Sequence, residues 1–270
     1  MKKIIAFLML LTVSVLAQAQ EPKSATFQTS DGVKIHYLTL GDSGSWVVLI
    51  HGYTDSARRM YFSTGIAQEL AKNHRVVAID NRNHGQSEVV QENGIGLASD
   101  TVELMAHLGI EKAHIHGYSM GGSITGQLLR TNPELFITAS FGGSGIRESD
   151  PELAEFAQNL DPVAPEPTGT EAAAFRNLRA AAASRAGASA RPAIRTGAEF
   201  DLSTIEFPVL AINGEYDRPY SKVQKMVREL RNFQNVILPE KSHMTAIAVG
   251  APMPQLYIDA LATFINANDM

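Results

Sequence analysis

The 270-residue chain contains no cysteine. That excludes disulfides, a thiol nucleophile and thiolate-bound metal sites. Basic residues are outnumbered, 23 to 28, and a formal net charge of -5 gives no footprint for nucleic acid. No Gly-x-Gly-x-x-Gly run opens a helix and no His-x-x-x-His pair offers helical ligand spacing, so neither a dinucleotide cofactor nor a metal is expected. Long apolar runs are also scarce, with one exception near the start. Lys2 and Lys3 precede an apolar stretch from Ile4 to Leu16, too short to span a bilayer comfortably. Ala17-Gln18-Ala19 then fits a small-x-small cleavage pattern. Residues 1–19 therefore read as a secretory signal peptide. The mature protein is expected to begin near Gln20, in the periplasm or outside the cell, with no stable membrane anchor after cleavage. The lack of cysteine is neutral on compartment, because an oxidising space permits disulfides without requiring them.

What remains is ordinary globular material, 44% apolar, in a chain long enough for one large α/β domain. Two short alternating runs, Ser24 to Thr29 and Val33 to Leu40, flank Ser30-Asp31-Gly32, which signals a hairpin. Trp46 to Ile50 is continuously apolar, as a strand buried on both faces should be. Further strand patterns run from Arg75 to Asp80, Ala113 to His116, Ile137 to Phe141, Val209 to Asn213 and Asn235 to Leu238. Helical patterns separate them: one carrying Met60, Ile66, Leu70 and Ala71, then Ile95 to Leu108, Ser123 to Arg130, Ser221 to Leu230 and Pro252 to Asn266. The alternation implies right-handed crossovers and an eight-stranded, mostly parallel sheet with an antiparallel start. Residues 147–200 break the pattern, with Pro162, Pro165 and Pro167, alanine-rich stretches and no strand signal. They are expected to form a helical cap, leaving 20–146 and 201–270 as the core.

The chain is organised around Gly117-Tyr118-Ser119-Met120-Gly121-Gly122, between an apolar strand and an amphipathic helix. Gly-x-Ser-x-Gly in that setting is a nucleophile elbow. Its turn is so tight that side chains at 117 and 121 would collide across it. A serine hydroxyl needs a base to take its proton, and histidine titrates near neutrality. Of the eight histidines only His243 lies beyond the cap, just after the last strand pattern. A carboxylate must hold that imidazole, and Asp217 closes the penultimate strand at the same sheet edge. Asp80 and Glu215 are the competing acids: Asp80 suits hydrogen bonding in its own turn, and Glu215 stands two residues away. His51 and His84 are read as orienting loops; His36, His74, His107, His114 and His116 as surface or packing residues.

From about Ala25 to Phe264 the chain resembles the α/β-hydrolase family. Four matches in order carry the resemblance: His51-Gly52 after the third strand, Asp80-Asn81-Arg82-Asn83-His84-Gly85-Gln86-Ser87, the elbow, and Gly214-x-x-Asp217 with His243. Asn83 stands where the family usually has glycine, a departure that asparagine's tolerance of left-handed backbone can absorb. The resemblance implies an α/β-hydrolase fold with helices on both faces and an oxyanion hole made by the backbone N–H groups of Tyr53 and Met120. Serine at 119 argues against members that use an aspartate nucleophile. The expected activity is carboxylic ester cleavage through an acyl-enzyme on Ser119, His243 and Asp217, acting on a small-molecule ester. Lactone, amide or peptide, and carbon–carbon bond hydrolysis are alternatives on the same fold; a ligand-binding protein with vestigial catalysis is an alternative of another class. Tyr118, beside the serine, and Arg176 and Arg179 in the cap are candidates to contact substrate.

Overall fold

Trp46–Ile50 (β3) is the strand around which the sheet is laid. Val47, Val48, Leu49 and Ile50 are all fully buried. Alternation sends Val47 and Leu49 into the core on one face, Val48 and Ile50 into the core on the other. Burying each such side chain contributes about 1.5–3 kcal/mol, which is why a strand apolar on both sides takes the centre. The computed structural model describes residues 21–90, 96–165, 200–247 and 255–269.

Eight strands form one sheet in the order β1-β2-β4-β3-β5-β6-β7-β8. They are β1 (Lys23–Gln28), β2 (Lys34–Leu40), β3, β4 (Arg75–Ile79), β5 (Ala113–Tyr118), β6 (Phe136–Gly142), β7 (Val209–Gly214) and β8 (Phe233–Leu238). β1 pairs antiparallel with β2, and β2 with β4; every other pairing is parallel. The expected antiparallel start and parallel remainder are both present. α2 (Leu97–His107) and α3 (Met120–Thr131) cover one face, together with α5 (Pro219–Glu229). α1 (Ile66–Leu70) and α6 (Gln255–Ala267) cover the other. Among the described residues no helix is long and apolar enough to cross a membrane.

One expectation needs correction. The single helix read through Met60, Ile66, Leu70 and Ala71 is two pieces, a π-helical turn at Arg58–Phe62 and then α1. The break falls at Gly65, whose φ of +89° lies in the left-handed region and cannot continue a right-handed helix. The 147–200 stretch is described in part. α4 (Pro151–Leu160) starts at Asp150, whose side chain accepts from the Glu152 and Leu153 N–H groups, and it packs on α5. Asp161, just after α4, accepts hydrogen bonds from the Tyr220 N–H and the Ser221 hydroxyl at the start of α5. Residues 166–199, with Arg176 and Arg179, lie outside the described residues.

Strand order decides where a site can form. From β3 the chain crosses to β4 on one side, and β5 then returns to the other. At such a switch point the loops leaving β3 and β5 diverge and open a crevice beyond the strands' C-terminal ends. The backbone is most contorted along that edge. The five described non-glycine residues with positive φ, Thr54, Asn83, Ser119, Arg218 and Glu240, stand in the loops after β3, β4, β5, β7 and β8. Left-handed conformations cost about 1 kcal/mol or more outside glycine and cluster where a loop's geometry is dictated by its task.

Candidate active site

Ser119 sits between β5 and α3 with φ 54° and ψ -106°. Its N–H donates to the Gly142 carbonyl at 2.8 Å, which locks the turn to β6. A Cβ at Gly117 would fall on the Gly121 carbonyl, and one at Gly121 on the Ile50 carbonyl. Glycine is required at both places by close backbone approach, and the outcome is a hydroxyl lifted clear of the sheet.

His243 and Asp217 meet this hydroxyl. Asp217 is an acceptor only, so His243 Nδ1–H donates to its Oδ2 at 2.9 Å. That leaves Nε2 to accept from the Ser119 hydroxyl, also at 2.9 Å. Tyr118 is buried, and its hydroxyl donates to the His243 carbonyl at 2.7 Å. Burial pushes that phenol well above its ordinary range, so it stays a donor. Tyr118 lines the pocket at Ser119, but its polar atom is committed to the histidine loop.

The alternative acids have other work. Asp80 accepts from His36 Nδ1 at 2.8 Å, the Ala57 N–H at 2.7 Å and the Gln86 N–H at 2.9 Å. Burial alone would raise its carboxyl, but these hydrogen bonds hold it below the ordinary value. Glu215 accepts from the Glu240 N–H at 2.8 Å and so braces the loop after β8. Asn83 takes φ 66°, the left-handed conformation its place in the turn demands. Its side-chain oxygen accepts from the Val90 N–H at 2.6 Å.

His51 is fully buried; its Nε2 accepts from the Asn81 N–H at 3.0 Å, so its Nδ1–H donates to the Gly52 carbonyl at 2.7 Å. Burial, then the neighbouring His84, lowers its pKa to about 4. A neutral ring with both nitrogens engaged orients the β3 and β4 loops and has no lone pair for the serine. His116, buried in β5 between Ser140 and Tyr257, is lowered by burial to about 3. Both rings therefore bind a proton more readily when unfolded. Stability is full above the unfolded value near 6.5 and is lost as pH falls, through about 4 for His51 and about 3 for His116. Each contributes a slope of about 1.4 kcal/mol per pH unit in its window. Urea midpoints measured from pH 7 to 4 should fall throughout, and substitution of His116 by glutamine should flatten the decline.

The β3 loop closes the other side of the site. Gly52 lies against Ser119, and Tyr53 follows it at the pocket wall. Met120 opens α3, so its N–H is among the four helical donors without an acceptor inside the helix. A pocket of about 50 Å³ at Ser119 and His243 neighbours a larger cavity of about 310 Å³. Tyr53, Thr54, Asp55 and Arg59 line both. Arg59 donates to Asp55 at 3.1 Å.

Lys222 was missed by the sequence reading. Its ammonium is buried, pairs with Asp217 Oδ1 and donates to the Gly143 carbonyl at 2.9 Å. Burial pushes it below the ordinary lysine range, and the Asp217 carboxylate opposes that shift. The available signal was helical spacing: Lys222 shares a buried face with Val223 and Met226. Asp217 thus divides its two oxygens between an imidazole and a cation. Exchanging Lys222 for methionine should lower kcat about tenfold with little change in KM.

A mostly parallel sheet with this order, a serine in a strained turn after its fifth strand and an acid and a histidine after its last two define a class. The chain belongs to the α/β hydrolase fold family, whose model matches residues 45–185. It is 30% identical over 125 residues to a dihydrolipoyllysine-residue acetyltransferase component of an acetoin cleaving system from Cupriavidus necator. That match takes in 45% of this chain and 33% of the relative, so the chain spans about a third of that protein's length. Among solved structures it resembles an α/β hydrolase fold protein from Chitinophaga pinensis, with a TM-score of 0.68 and 17% identity over 91% of this chain and 98% of the other. A thermophilic esterase from Thermogutta terrifontis aligns over 93% of this chain and 100% of its own, with a TM-score of 0.62 and 21% identity. At these identities the solved structures show the fold.

Proposed function

We infer that this member of a hydrolase superfamily is a serine hydrolase that cleaves a carboxylic ester. The observation that carries the reading is His243 bridging Ser119 and Asp217, 2.9 Å on each side. Ser119 attacks the ester carbonyl as His243 Nε2 takes its proton. The Tyr53 and Met120 N–H groups receive the oxyanion, each worth a few kcal/mol to the transition state. His243 returns the proton to the departing alcohol, leaving an acyl-Ser119. Water, deprotonated by His243, then releases the acid. Asp217 holds the imidazole in the tautomer that can accept from serine and stabilises its charged form. A cavity of about 310 Å³ beside the site suits a small or medium ester.

A fluorophosphonate should add its phosphonyl group to Ser119, seen as a mass shift on the peptide that contains it. A panel of p-nitrophenyl esters, lactones and aminoacyl amides should give its highest kcat/KM on an ester. Labelling with no turnover on any of them would instead favour a binding protein with vestigial catalysis. The proposal extends to export: residues 1–19 act as a cleaved leader, and N-terminal sequencing of exported protein that retains Met1 would reject it. Residues 147–200 are proposed as the cap that sets substrate choice, with Arg176 and Arg179 towards carbonyl-rich or anionic substrates. Unchanged selectivity between charged and neutral esters in Arg176→Ala and Arg179→Ala would remove the arginine role.

A further inference from the structure

At the opposite edge of the sheet, three side chains far apart in sequence converge. His74 leads into β4, His114 is the second residue of β5, and Asp269 follows α6. Five residue steps along β5, about 16 Å at ~3.3 Å per residue, separate His114 from Ser119, so this cluster has no part in the chemistry above. One ligand atom from each of the three lies within 4.8 Å of the others. Both histidine side chains are 1% exposed, while Asp269 is 29% exposed and leaves a route from solvent.

The outer partners fix the tautomer of His74 and allow the one that frees Nε2 in His114. His74 Nε2 lies 2.7 Å from Asn266 Oδ1, an acceptor, so that nitrogen carries the proton and the Nδ1 lone pair faces Asp269. His114 Nδ1 lies 2.9 Å from the Thr138 hydroxyl; with Nδ1–H donating there, the Nε2 lone pair faces Asp269. This is how metal-binding histidines are held: the far N–H bonds to an oxygen, and the near nitrogen is aimed at the ion. Asp269 Oδ2 stands 3.7 Å from His74 Nδ1, and Oδ1 stands 3.5 Å from His114 Nε2, a long hydrogen bond. Both separations are within a few tenths of an ångström of the ~3.3 Å between two ligands of a tetrahedral ion bound at about 2.0–2.1 Å, so a small rotation of the carboxylate lets one oxygen serve the ion that both nitrogens face. Ser45 Oγ, 2.9 Å from His74 Nδ1, supplies a fourth oxygen on the same side.

We propose that His74 Nδ1, His114 Nε2 and an Asp269 carboxylate oxygen form a zinc site that clamps the end of α6 to the starts of β4 and β5. Two imidazoles and one carboxylate suit a borderline ion such as Zn²⁺, with Ser45 or a water in the fourth position. The Ser45 hydroxyl, within reach of both His74 Nδ1 and Asp269, turns its oxygen to the ion when it serves as the fourth ligand. The spacing is invisible in the sequence because each ligand comes from a different element.

The test is calorimetric titration of EDTA-stripped, purified protein with a zinc salt at neutral pH. It should show one equivalent bound, and melting should rise by about 5 °C or more at a hundredfold excess over Kd. Cobalt(II) should give the visible bands of a tetrahedral site. Asp269→Asn, at a partly exposed position, should weaken binding at least tenfold and remove most of the melting shift. His243→Ala should leave the titration unchanged. Absence of saturable binding overturns the site, as does equal affinity in Asp269→Asn. Loss of binding in His243→Ala would place the ion at the catalytic set instead and also overturn it.

Discussion

Replacing Ser119 with alanine is expected to abolish fluorophosphonate labelling and to lower ester turnover by about four to six orders of magnitude. The size follows from how little is left. His243 would keep its bond to Asp217 but have no hydroxyl to deprotonate, and the proposed oxyanion donors, the Tyr53 and Met120 N–H groups, would polarise a carbonyl that only bulk water could attack. A protease that loses its serine still retains some rate from such donors and from binding, which sets the floor. The fold should survive. Alanine removes one oxygen, and the turn is held by the Ser119 N–H to the Gly142 carbonyl, a backbone bond that alanine keeps. The φ of 54° is no harder for alanine than for serine by more than a fraction of a kcal/mol. Unchanged melting with near wild-type hydrolysis would mean that another group is the nucleophile.

Asp217→Asn is expected to cost nearly as much, about four orders of magnitude by analogy with the same change in a serine protease. Here the surroundings dictate which way the amide turns. Lys222 has no acceptor to offer, so it takes the amide oxygen in place of Asp217 Oδ1. The NH₂ group is then turned to His243, where it donates to Nδ1. The imidazole proton is driven onto Nε2, the nitrogen that must accept from Ser119. Glu215→Gln, by contrast, disturbs a bond to the Glu240 N–H that an amide oxygen can also make, and should cost little. Combining Asp217→Asn with Lys222→Met frees the amide to turn and should recover part of the lost rate. If Glu215→Gln or Asp80→Asn abolished turnover without unfolding the protein, while Asp217→Asn did not, the acid would lie elsewhere.

Much of this molecule could be read from local pattern. An apolar run such as Trp46–Ile50 declares a strand buried on two faces, and the elbow announces itself through glycines that no other residue could replace at 117 and 121. Such features are legible because their causes lie within a few residues: side-chain alternation, helical period, and hard-sphere limits on a turn. The order serine, aspartate, histidine was also readable, as was the left-handed Asn83, whose short polar side chain suits that conformation. The break at Gly65 was not, since a lone glycine within a helical pattern is as often tolerated as obeyed.

Tertiary structure alone decided the rest. Gly52 meets Ser119 because β3 and β5 are neighbours at the point where the strand order reverses, a fact about the sheet and not about either loop. Lys222 is a buried counter-ion and not a solvated helical lysine because Asp217, brought beside it, offsets part of the cost of taking its charge out of water. His74, His114 and Asp269 have no spacing to betray them; β4, β5 and the end of α6 set their separation. Sequence alone determined which elements could form and which residues had the chemistry to act. Only packing set which of them stand within a few ångströms of one another, because hydrogen bonding and charge pairing depend on distances that chain separation does not encode.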